Sequence, residues 1–220
     1  MIEADLQSIY QRRFQPDLAF RQQMWQVLCR DFFQRYIPPE SSVLEVGAGY
    51  CEFINHIRAG RKTAVDLNPD TPHFAAPEVR VIAISSTDLS AITPGSMDIA
   101  FASNFFEHLS RADIVLTLRA VARVLKPGGR FLILQPNFRF CYRDYWMFFD
   151  HVTPLDDRSL VEALETNGFR AVAVLPRFLP YTTQSRLPKS VALLKVYLRV
   201  PLAWQIFGQQ AFVVAETARN

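Results

Sequence analysis

Residues 43–53, VLEVGAGYCEF, place an acid and two closely spaced glycines where an apolar run gives way to a helical pattern. Glu45 lies inside the apolar run, and Gly47 and Gly49 lie in the turn that follows it. A glycine-rich turn between a strand and a helix lets the backbone approach a nucleotide-bearing ligand closely. Asp66 ends the next apolar run, where a carboxylate can accept hydrogen bonds from both hydroxyls of a ribose. These residues predict a site for a ligand that contains a nucleoside.

The spacing of the glycines argues against two common kinds of nucleotide site. The dinucleotide pattern G-x-G-x-x-G needs a third glycine at position 52, and this chain has Glu52 there, an anion near where a pyrophosphate would lie. The P-loop pattern G-x-x-x-x-G-K-[ST] does not occur in the sequence. S-adenosylmethionine fits these residues, because it has a ribose and an adenine but carries a sulfonium and an ammonium group in place of phosphates.

Over about residues 42–175 the chain resembles the class I S-adenosylmethionine-dependent methyltransferases. Five segments carry this resemblance in the order of that family's motifs: LEVGAGYC, AVDLNPD, STDL, DIAFASNFFEHL and VLKPGGRFLILQPN. Cys51 stands where the family usually has a further glycine. The whole chain is also similar to a bacterial subgroup encoded among polysaccharide biosynthesis enzymes, through YWMFFDHVTPLDDRSLVEALETNGF and RFLPYTTQSRLPKS.

The resemblance implies that the cofactor is S-adenosyl-L-methionine. The residues implied for cofactor binding are Glu45, Gly47, Ala48, Gly49, Asp66, Leu67, Asp88, Leu89 and Asn104. The glycine turn would enclose the methionine part, and Asp66 would bind the ribose. Asp88 and its neighbour would border the adenine, and Asn104 would face the methionine part or the transferring methyl group.

Two histidines are candidate catalytic residues. Methyl transfer is an in-line displacement that needs alignment, exclusion of water and, for a hydroxyl nucleophile, a base. His108 follows Glu107, and His151 follows Asp150, so either imidazole could accept a proton while a neighbouring acid orients it. Alternatively, His108 caps a helix and His151 stabilises a loop. We expect no metal, because a related quinone O-methyltransferase pattern has acids three apart before the histidine and the first position here is Asn104.

The segment NFRFCYRDYWMFF follows the fifth strand-like run and is rich in aromatic residues. Most of these side chains are expected in the core, but some could stack on a sugar ring or a planar acceptor while arginines meet its phosphate or carboxylate. The candidates for acceptor binding are Tyr142, Tyr145, Trp146, Arg139, Arg143, Tyr181 and Arg186. Nucleic acid is not expected, since two arginines form a poor electrostatic track.

Strand-like and helix-like patterns alternate from residue 42 onward, which indicates βαβ units and a mainly parallel sheet. We therefore expect one α/β methyltransferase domain over residues 1–220, with a doubly wound, Rossmann-like, seven-stranded sheet and a final antiparallel strand. The KPGG segment is expected to form a turn before the fifth of these strands. The expected parts are a helical N-terminal cover (1–38), the Rossmann-like core (42–176), a C-terminal cap insertion (177–209), and the last strand and tail (210–220).

The middle of the cap insertion, residues 189–200, has a basic and apolar helical pattern. Such a helix could lie on a membrane interface or close over an acceptor that bears a phosphate or a lipid. The alternative is that its apolar face packs on the N-terminal helices.

Composition supports a globular protein of the cytoplasm. Half of the 220 residues are hydrophobic, the formal net charge is +3 and no run of like charges occurs. Three widely spaced cysteines, Cys29, Cys51 and Cys141, indicate neither a disulfide framework nor a metal site. The N-terminus lacks the apolar core of a signal peptide, and no apolar run is long enough for a transmembrane helix. We expect a cytoplasmic location, with peripheral contact at the inner membrane surface as an option for the cap.

These observations together predict methyl transfer from S-adenosylmethionine to an oxygen of a glycan, a nucleotide sugar or a lipid-linked saccharide. Two alternatives are a methyltransferase acting on a quinone or another natural product, and a non-catalytic protein that binds the cofactor or serves as a scaffold. The sequence leaves the oligomeric state open.

Overall fold

The computed structural model describes residues 3–181 and 189–218. Its α-helices are α1 (Glu3–Phe14), α2 (Leu18–Asp31), α3 (Glu52–His56), α4 (Thr71–Phe74), α5 (Arg111–Val124), α6 (Phe138–Cys141), α7 (Asp157–Glu165), α8 (Val191–Arg199) and α9 (Pro201–Phe207). Its strands are β1 (Ser42–Val46), β2 (Arg61–Val65), β3 (Val79–Ile82), β4 (Met97–Ser103), β5 (Leu125–Pro136), β6 (Phe169–Leu175) and β7 (Gln210–Thr217).

The seven strands form one sheet in the order β3-β2-β1-β4-β5-β7-β6. The first five strands in this order are parallel, and β7 runs antiparallel between β5 and β6. This architecture confirms the predicted Rossmann-like α/β fold with a final antiparallel strand. The strand order reverses between β1 and β4, and in such open sheets the crevice at the carboxyl ends of these strands is where ligands bind.

Two hydrophobic cores lie on opposite faces of the sheet, since side chains alternate between faces along a strand. Val43 of β1 packs into one core and Leu44 into the other. The first core joins the sheet to α2, α3 and the C-terminal helices, and is rich in aromatic rings such as Phe33 and Phe101, whose centroids are 5.2 Å apart. The second core joins the sheet to α5 and α7. Both faces are therefore covered, as a parallel sheet requires.

The KPGG segment, residues 126–129, lies within the bounds of β5 and bulges out of the ladder. Leu125 pairs with Met97 and Arg130 pairs with Ile99, so the four residues between them have no partners on β4. The predicted turn is therefore a four-residue bulge within the bounds of β5.

The connection between β6 and β7 is closed at its base by backbone hydrogen bonds. The amide of Phe178 donates to the carbonyl of Gln210 (2.7 Å), and the amides of Gln209 and Gln210 donate to the carbonyl of Leu179 (2.8 and 2.9 Å). Above this base, α8 packs on α2, and the hydroxyl of Tyr197 donates to the carbonyl of Phe178. Residues 182–188, which include Arg186, lie outside the described part of the chain.

The helices α8 and α9 pack on one side and leave apolar side chains exposed on the other. The exposed apolar side chains are Leu193, Val196, Val200, Leu202, Ile206 and Phe207. Lys189, at the start of this segment, pairs with Asp17 at 2.6 Å, which links the cap to the N-terminal helices. One face thus packs on the N-terminal helices, and a role of the outward face at a membrane or an acceptor stays a prediction. Within residues 3–181 and 189–218, no helix is long and apolar enough to cross a bilayer.

Phe178 is expected to anchor the cap to the core. It is fully buried, and its ring stacks on Phe32 with the centroids 4.0 Å apart. Phe178→Ala should therefore lower the free energy of unfolding by about 3–5 kcal/mol, as measured by urea denaturation. The control is Phe149→Ala, because Phe149 is 99% exposed, and its effect should stay within about 0.5 kcal/mol. Equal effects of the two substitutions would contradict this assignment.

Candidate active site

The glycine turn follows β1 and has backbone angles that require glycine. Gly47 and Gly49 have φ values of +70° and +51°. A Cβ atom at Gly47 would overlap the ring of Phe105, and a Cβ atom at Gly49 would lie 2.6 Å from Cε1 of Tyr10. Cys51 also takes a left-handed conformation, with φ +56°, so it adopts at this third position a conformation that usually belongs to glycine.

Two carboxylates hold the glycine turn against the sheet. Glu45 is buried, and its Oε2 accepts a hydrogen bond from the amide of Ile54 (3.1 Å) in α3. Asp66, after β2, accepts from the amides of Gly49 and Asn68, both at 2.7 Å. Burial raises the pKa of Glu45 well above its usual range and, against these backbone hydrogen bonds, raises the pKa of Asp66 as well. The carboxylate of Asp66 therefore borders the turn directly.

The other predicted cofactor residues lie around the same edge of the sheet. The amide of Ala48 donates to the carbonyl of Val65 at the end of β2 (3.2 Å), and Leu67 is 45% exposed beside Asp66. Asn104 follows β4 with φ +47°, a conformation that asparagine tolerates better than most residues. The structure thus brings together the predicted residues that follow β1, β2 and β4.

Asp88 and Leu89 lie in the loop after β3, on the far side of β2. The carboxylate of Asp88 accepts from the amide of Ser90 (2.9 Å) and is exposed, whereas Leu89 is buried in the second core. The two neighbours therefore face different environments, one solvent and one apolar.

Helix α1 crosses this edge of the sheet and contributes residues that the sequence did not single out. The ring of Tyr10 packs on Gly49, and Gln7 donates to Asp70 at 2.8 Å. One turn further, Arg13 forms an ion pair with Asp150, with contacts of 2.5 and 3.1 Å. Burial raises the pKa of Tyr10 well above its usual range. No glycine, acid pair or motif in α1 marks these residues, so only their packing reveals them.

A second group of side chains, here named the histidine cluster, consists of Glu107, His108, Asp150 and His151. It joins the short turn after β4 to the loop after β5. Nδ1 of His108 lies 3.1 Å from Oδ2 of Asp150, and Nε2 of His108 lies 3.8 Å from Oε1 of Glu107. The ring centroids of His108 and His151 are 5.0 Å apart, nearly perpendicular. The sequence suggested that Asp150 orients His151, the residue that follows it. In the structure Asp150 instead contacts His108.

The charges within the histidine cluster set its protonation states. Burial opposes the charged form of His108, but the carboxylates of Glu107 and Asp150 outweigh it and raise its pKa above 6.5. Burial, together with the neighbouring His108, lowers the pKa of His151 to about 4, so His151 is neutral near pH 7. Burial raises the pKa of Glu107. Hydrogen bonds from His108 and Arg13 overcome the effect of burial on Asp150 and hold its pKa far below its usual range. Asp150 is therefore the stable negative charge of the cluster.

Tyr145 and Tyr181, predicted to bind an acceptor, lie behind the histidine cluster. Tyr145 is fully buried, and its hydroxyl donates to the carbonyl of Thr153 (2.6 Å). Its ring centroid is 4.6 Å from that of His151. The hydroxyl of Tyr181 lies 3.5 Å from Nδ1 of His151. In this structure both tyrosines pack against and position His151.

The remaining acceptor candidates divide by exposure. Tyr142 and Trp146 are more than half exposed, and the guanidinium of Arg143 lies 5.7 Å from the centroid of the Tyr142 ring. Arg139 instead pairs with Asp157 at the start of α7, at 2.9 and 3.1 Å, so its charge is already matched. Arg186 lies outside the described residues.

Comparison with known proteins agrees with this fold. Residues 44–133 match the model of a family described as a methyltransferase domain. A demethylmenaquinone methyltransferase from Symbiobacterium thermophilum is 28% identical over 172 residues, which cover 70% of this chain and 68% of that protein.

Solved structures show the same fold. An S-adenosylmethionine-dependent methyltransferase from Archaeoglobus fulgidus superposes with a TM-score of 0.69 at 20% identity, over 93% of this chain and 99% of that one. A geranyl diphosphate C-methyltransferase from Streptomyces coelicolor superposes with a TM-score of 0.61 at 15% identity, over 84% of this chain and 76% of that one.

Residues 44–133 thus carry a methyltransferase domain, and the described residues have the fold of S-adenosylmethionine-dependent methyltransferases. The protein is an enzyme, and its cofactor is S-adenosylmethionine. The residues present fit this cofactor, because Gly47 and Gly49 hold the positive φ angles of a turn that brings backbone close to a ligand and Asp66 places a carboxylate beside that turn.

Asp66→Ala should weaken S-adenosylmethionine binding. The substitution removes the acceptor expected for the ribose hydroxyls, and hydrogen bonds to a charged group contribute about 1.5–3 kcal/mol, or about 10- to 150-fold in Kd. Isothermal titration calorimetry measures this change. Asp31→Ala is the control, because Asp31 lies on α2 and pairs with Arg30. Unchanged affinity in Asp66→Ala would show that this carboxylate does not bind the cofactor.

Proposed function

We propose that the enzyme transfers the methyl group of S-adenosylmethionine to an oxygen of a hydroxyl-bearing acceptor that lies against the histidine cluster. The observation that carries this proposal is the position of the cluster. Phe105, whose ring fills the space above Gly47, directly precedes the turn that carries His108, and α1 contacts both Gly49 through Tyr10 and Asp150 through Arg13, so the cluster and the glycine turn share one edge of the sheet. A base beside the methyl donor suits an oxygen nucleophile that must lose a proton.

The cofactor roles follow the strand ends. The turn formed by Gly47, Ala48 and Gly49 would hold the methionine part above Glu45, and Asp66 would accept from the ribose. Leu67 and Asp88 would border the adenine, the buried Leu89 would support the loop of Asp88 from the second core, and Asn104 would face the methionine part. The support is their common location at the carboxyl edge of the sheet, where open α/β sheets bind ligands.

His108 is the proposed proton acceptor. When Nδ1–H of His108 donates to Asp150, the lone pair of the imidazole is on Nε2. The bound cofactor would supply the methyl group from its sulfonium, which would become a thioether, and Nε2 of His108 would accept the proton of the hydroxyl as its oxygen is methylated. Asp150 acts as a positioning residue that fixes this tautomer and stabilises the imidazolium. His151, neutral near pH 7, would shape the same pocket from the other side.

A saccharide acceptor, free or linked to a lipid or a nucleotide, is the proposed substrate class. Tyr142 and Trp146 offer exposed rings on which a sugar can stack, and Arg143 offers a cation beside them for a phosphate or a carboxylate. Arg139 contributes less to this proposal because Asp157 already pairs with it. A link to polysaccharide biosynthesis stays a hypothesis that the comparisons do not support further.

A quinone is the second candidate acceptor. It is favoured by the 28% identity with a demethylmenaquinone methyltransferase. A screen for transfer of a labelled methyl group to nucleotide sugars, lipid-linked saccharides and quinols would separate the two. Transfer to a quinol alone would overturn the saccharide proposal, and transfer to none of them would overturn both.

Peripheral membrane contact through α8 and α9 belongs to the same proposal, since lipid-linked acceptors and quinones both reside in membranes. The outward face is apolar, and residues 189–209 contain three basic residues and no acidic one. Apolar side chains next to cations suit the interface of a bilayer with anionic lipids.

The pH profile of turnover should report His108. The unprotonated imidazole is the active form, so kcat/KM should rise with pH through a pKa above 6.5. Asp150→Asn removes a carboxylate that raises this pKa, so the acid limb should move to lower pH, and His108→Ala should lower kcat about 10²- to 10⁴-fold. The measurement uses the acceptor found in the screen. Asp31→Asn, on the exposed side of α2, is the control. An acid limb that does not move in Asp150→Asn would contradict the assignment of the base.

Leu202→Ser together with Ile206→Ser should reduce sedimentation with vesicles that contain anionic lipids. Both side chains are at least 60% exposed, and burying each in a bilayer interface would contribute up to about 1.5–3 kcal/mol, so the partition coefficient should fall at least tenfold. Val172→Ser is the control, because Val172 is exposed on β6. If wild-type protein does not sediment with the vesicles, the membrane contact should be discarded.

A further inference from the structure

The histidine cluster contains a set of metal-donor atoms that the sequence pattern does not reveal. Glu107, His108 and His151 each offer one ligand atom, and these atoms all lie within 4.8 Å of one another. Two donor atoms on one tetrahedral ion, each about 2.1 Å from it, lie about 3.4 Å apart. The 3.8 Å between Nε2 of His108 and Oε1 of Glu107 is close to this value. Small side-chain movements would bring all three donors onto one ion.

Neighbouring groups already contact each of these three side chains. Asp150 binds Nδ1 of His108, and Gln135 donates to Oε2 of Glu107 at 2.8 Å. The hydroxyl of Tyr181 lies 3.5 Å from Nδ1 of His151. Metal-binding histidines usually have such a carboxylate or carbonyl on the second ring nitrogen, which fixes the tautomer and orients the ring. The neighbouring residues that would orient the ligands of a metal ion are thus present.

The charges favour a cation between the three donors. Glu107 is only 1% exposed, and the charge of Arg13 is matched by the carboxylate of Asp150. When both histidines are neutral, the group formed by Glu107, Asp150 and Arg13 carries a net charge of −1.

We propose that Glu107, His108 and His151 bind a divalent first-row transition-metal cation. Two imidazoles and one carboxylate are the ligand set of catalytic zinc sites and of non-haem iron sites, and both leave coordination positions open. Magnesium is disfavoured, since it prefers oxygen ligands. The absence of an acid at Asn104 argued against a metal in the sequence, but the third donor comes instead from His151 in the loop after β5.

The catalytic consequence rests on the proposed function, whereas metal binding itself does not. An open coordination position beside the cofactor turn would hold the acceptor oxygen and lower the pKa of its hydroxyl. In the metal-bound enzyme, Nε2 of His108 would then be a ligand, and the proton of the hydroxyl would pass to solvent or to another base. Without bound metal, His108 is itself the proton acceptor.

The test is calorimetry on untagged protein, freed of metal by a chelator and then dialysed, without S-adenosylmethionine or acceptor. Zn²⁺ and Co²⁺ are titrated separately, and we expect one ion per chain and visible absorption from bound Co²⁺. His151→Ala and Glu107→Gln should each weaken binding at least about tenfold, and Asp150→Asn should weaken it about 10- to 100-fold. His73→Ala is the matched control, because His73 lies on α4, far along the chain from the cluster, and should leave binding unchanged.

Three outcomes would overturn the proposal. These are no binding of Zn²⁺ or Co²⁺ to the wild type, binding that persists in both His151→Ala and Glu107→Gln, and Mg²⁺ binding as tight as that of Zn²⁺. Circular dichroism of each variant shows whether it is folded, and His151→Gln serves as the second variant if His151→Ala is not. Since the assay contains no methyl donor, a failure here leaves methyl transfer untouched, and loss of methyl transfer alone leaves the metal site untouched.

Discussion

The contacts of the Asp150 carboxylate with Arg13 and His108 are the interactions on which the arrangement of the candidate active site depends. This carboxylate binds the guanidinium of Arg13 with both oxygens and the imidazole of His108 with one. The three residues come from α1, the turn after β4 and the loop after β5, so a single buried anion joins three separate segments. Removing one partner of such a pair leaves an unmatched charge in a low dielectric, which costs far more than the pair gains by forming. The negative charge of Asp150 therefore fixes the tautomer of His108 and the position of α1 together.

Helix α1 in turn connects the two halves of the site. Its middle places Tyr10 on Gly49 beside the predicted ribose acceptor, and its end reaches Asp150. The cofactor turn and the histidine cluster are therefore in contact with one helix, although they lie on different strands. A helix of twelve residues has little stability of its own in water, so these contacts are what hold it in place.

The sheet was predictable from the sequence because local patterns dictate it. Alternating apolar runs and helical periods, together with the turn at Gly47 and Gly49, predicted the strands and their order along the chain, and the resemblance to the methyltransferases implied the antiparallel β7. The cofactor edge was predictable for the same reason, because parallel strands end on one side. The sequence indicated which residues form the histidine cluster. It did not indicate which acid contacts which histidine, because that depends on how the loops after β4 and β5 pack. The contribution of Tyr10 and Arg13 was not predictable, because a tyrosine and an arginine in an amphipathic helix carry no local signal.

The hydrogen bonds between Phe178, Leu179, Gln209 and Gln210 hold together the two ends of the connection between β6 and β7. The entropic cost of closing a loop grows only as the logarithm of its length. Because the two ends are held together, adding residues between them therefore costs the sheet little stability. Residues of this segment that lie away from the core can thus change in number without disturbing β6 or β7, whereas Leu198 and Trp204 are buried in the first core and must be retained. The length of the insertion and its packing are therefore under separate constraints.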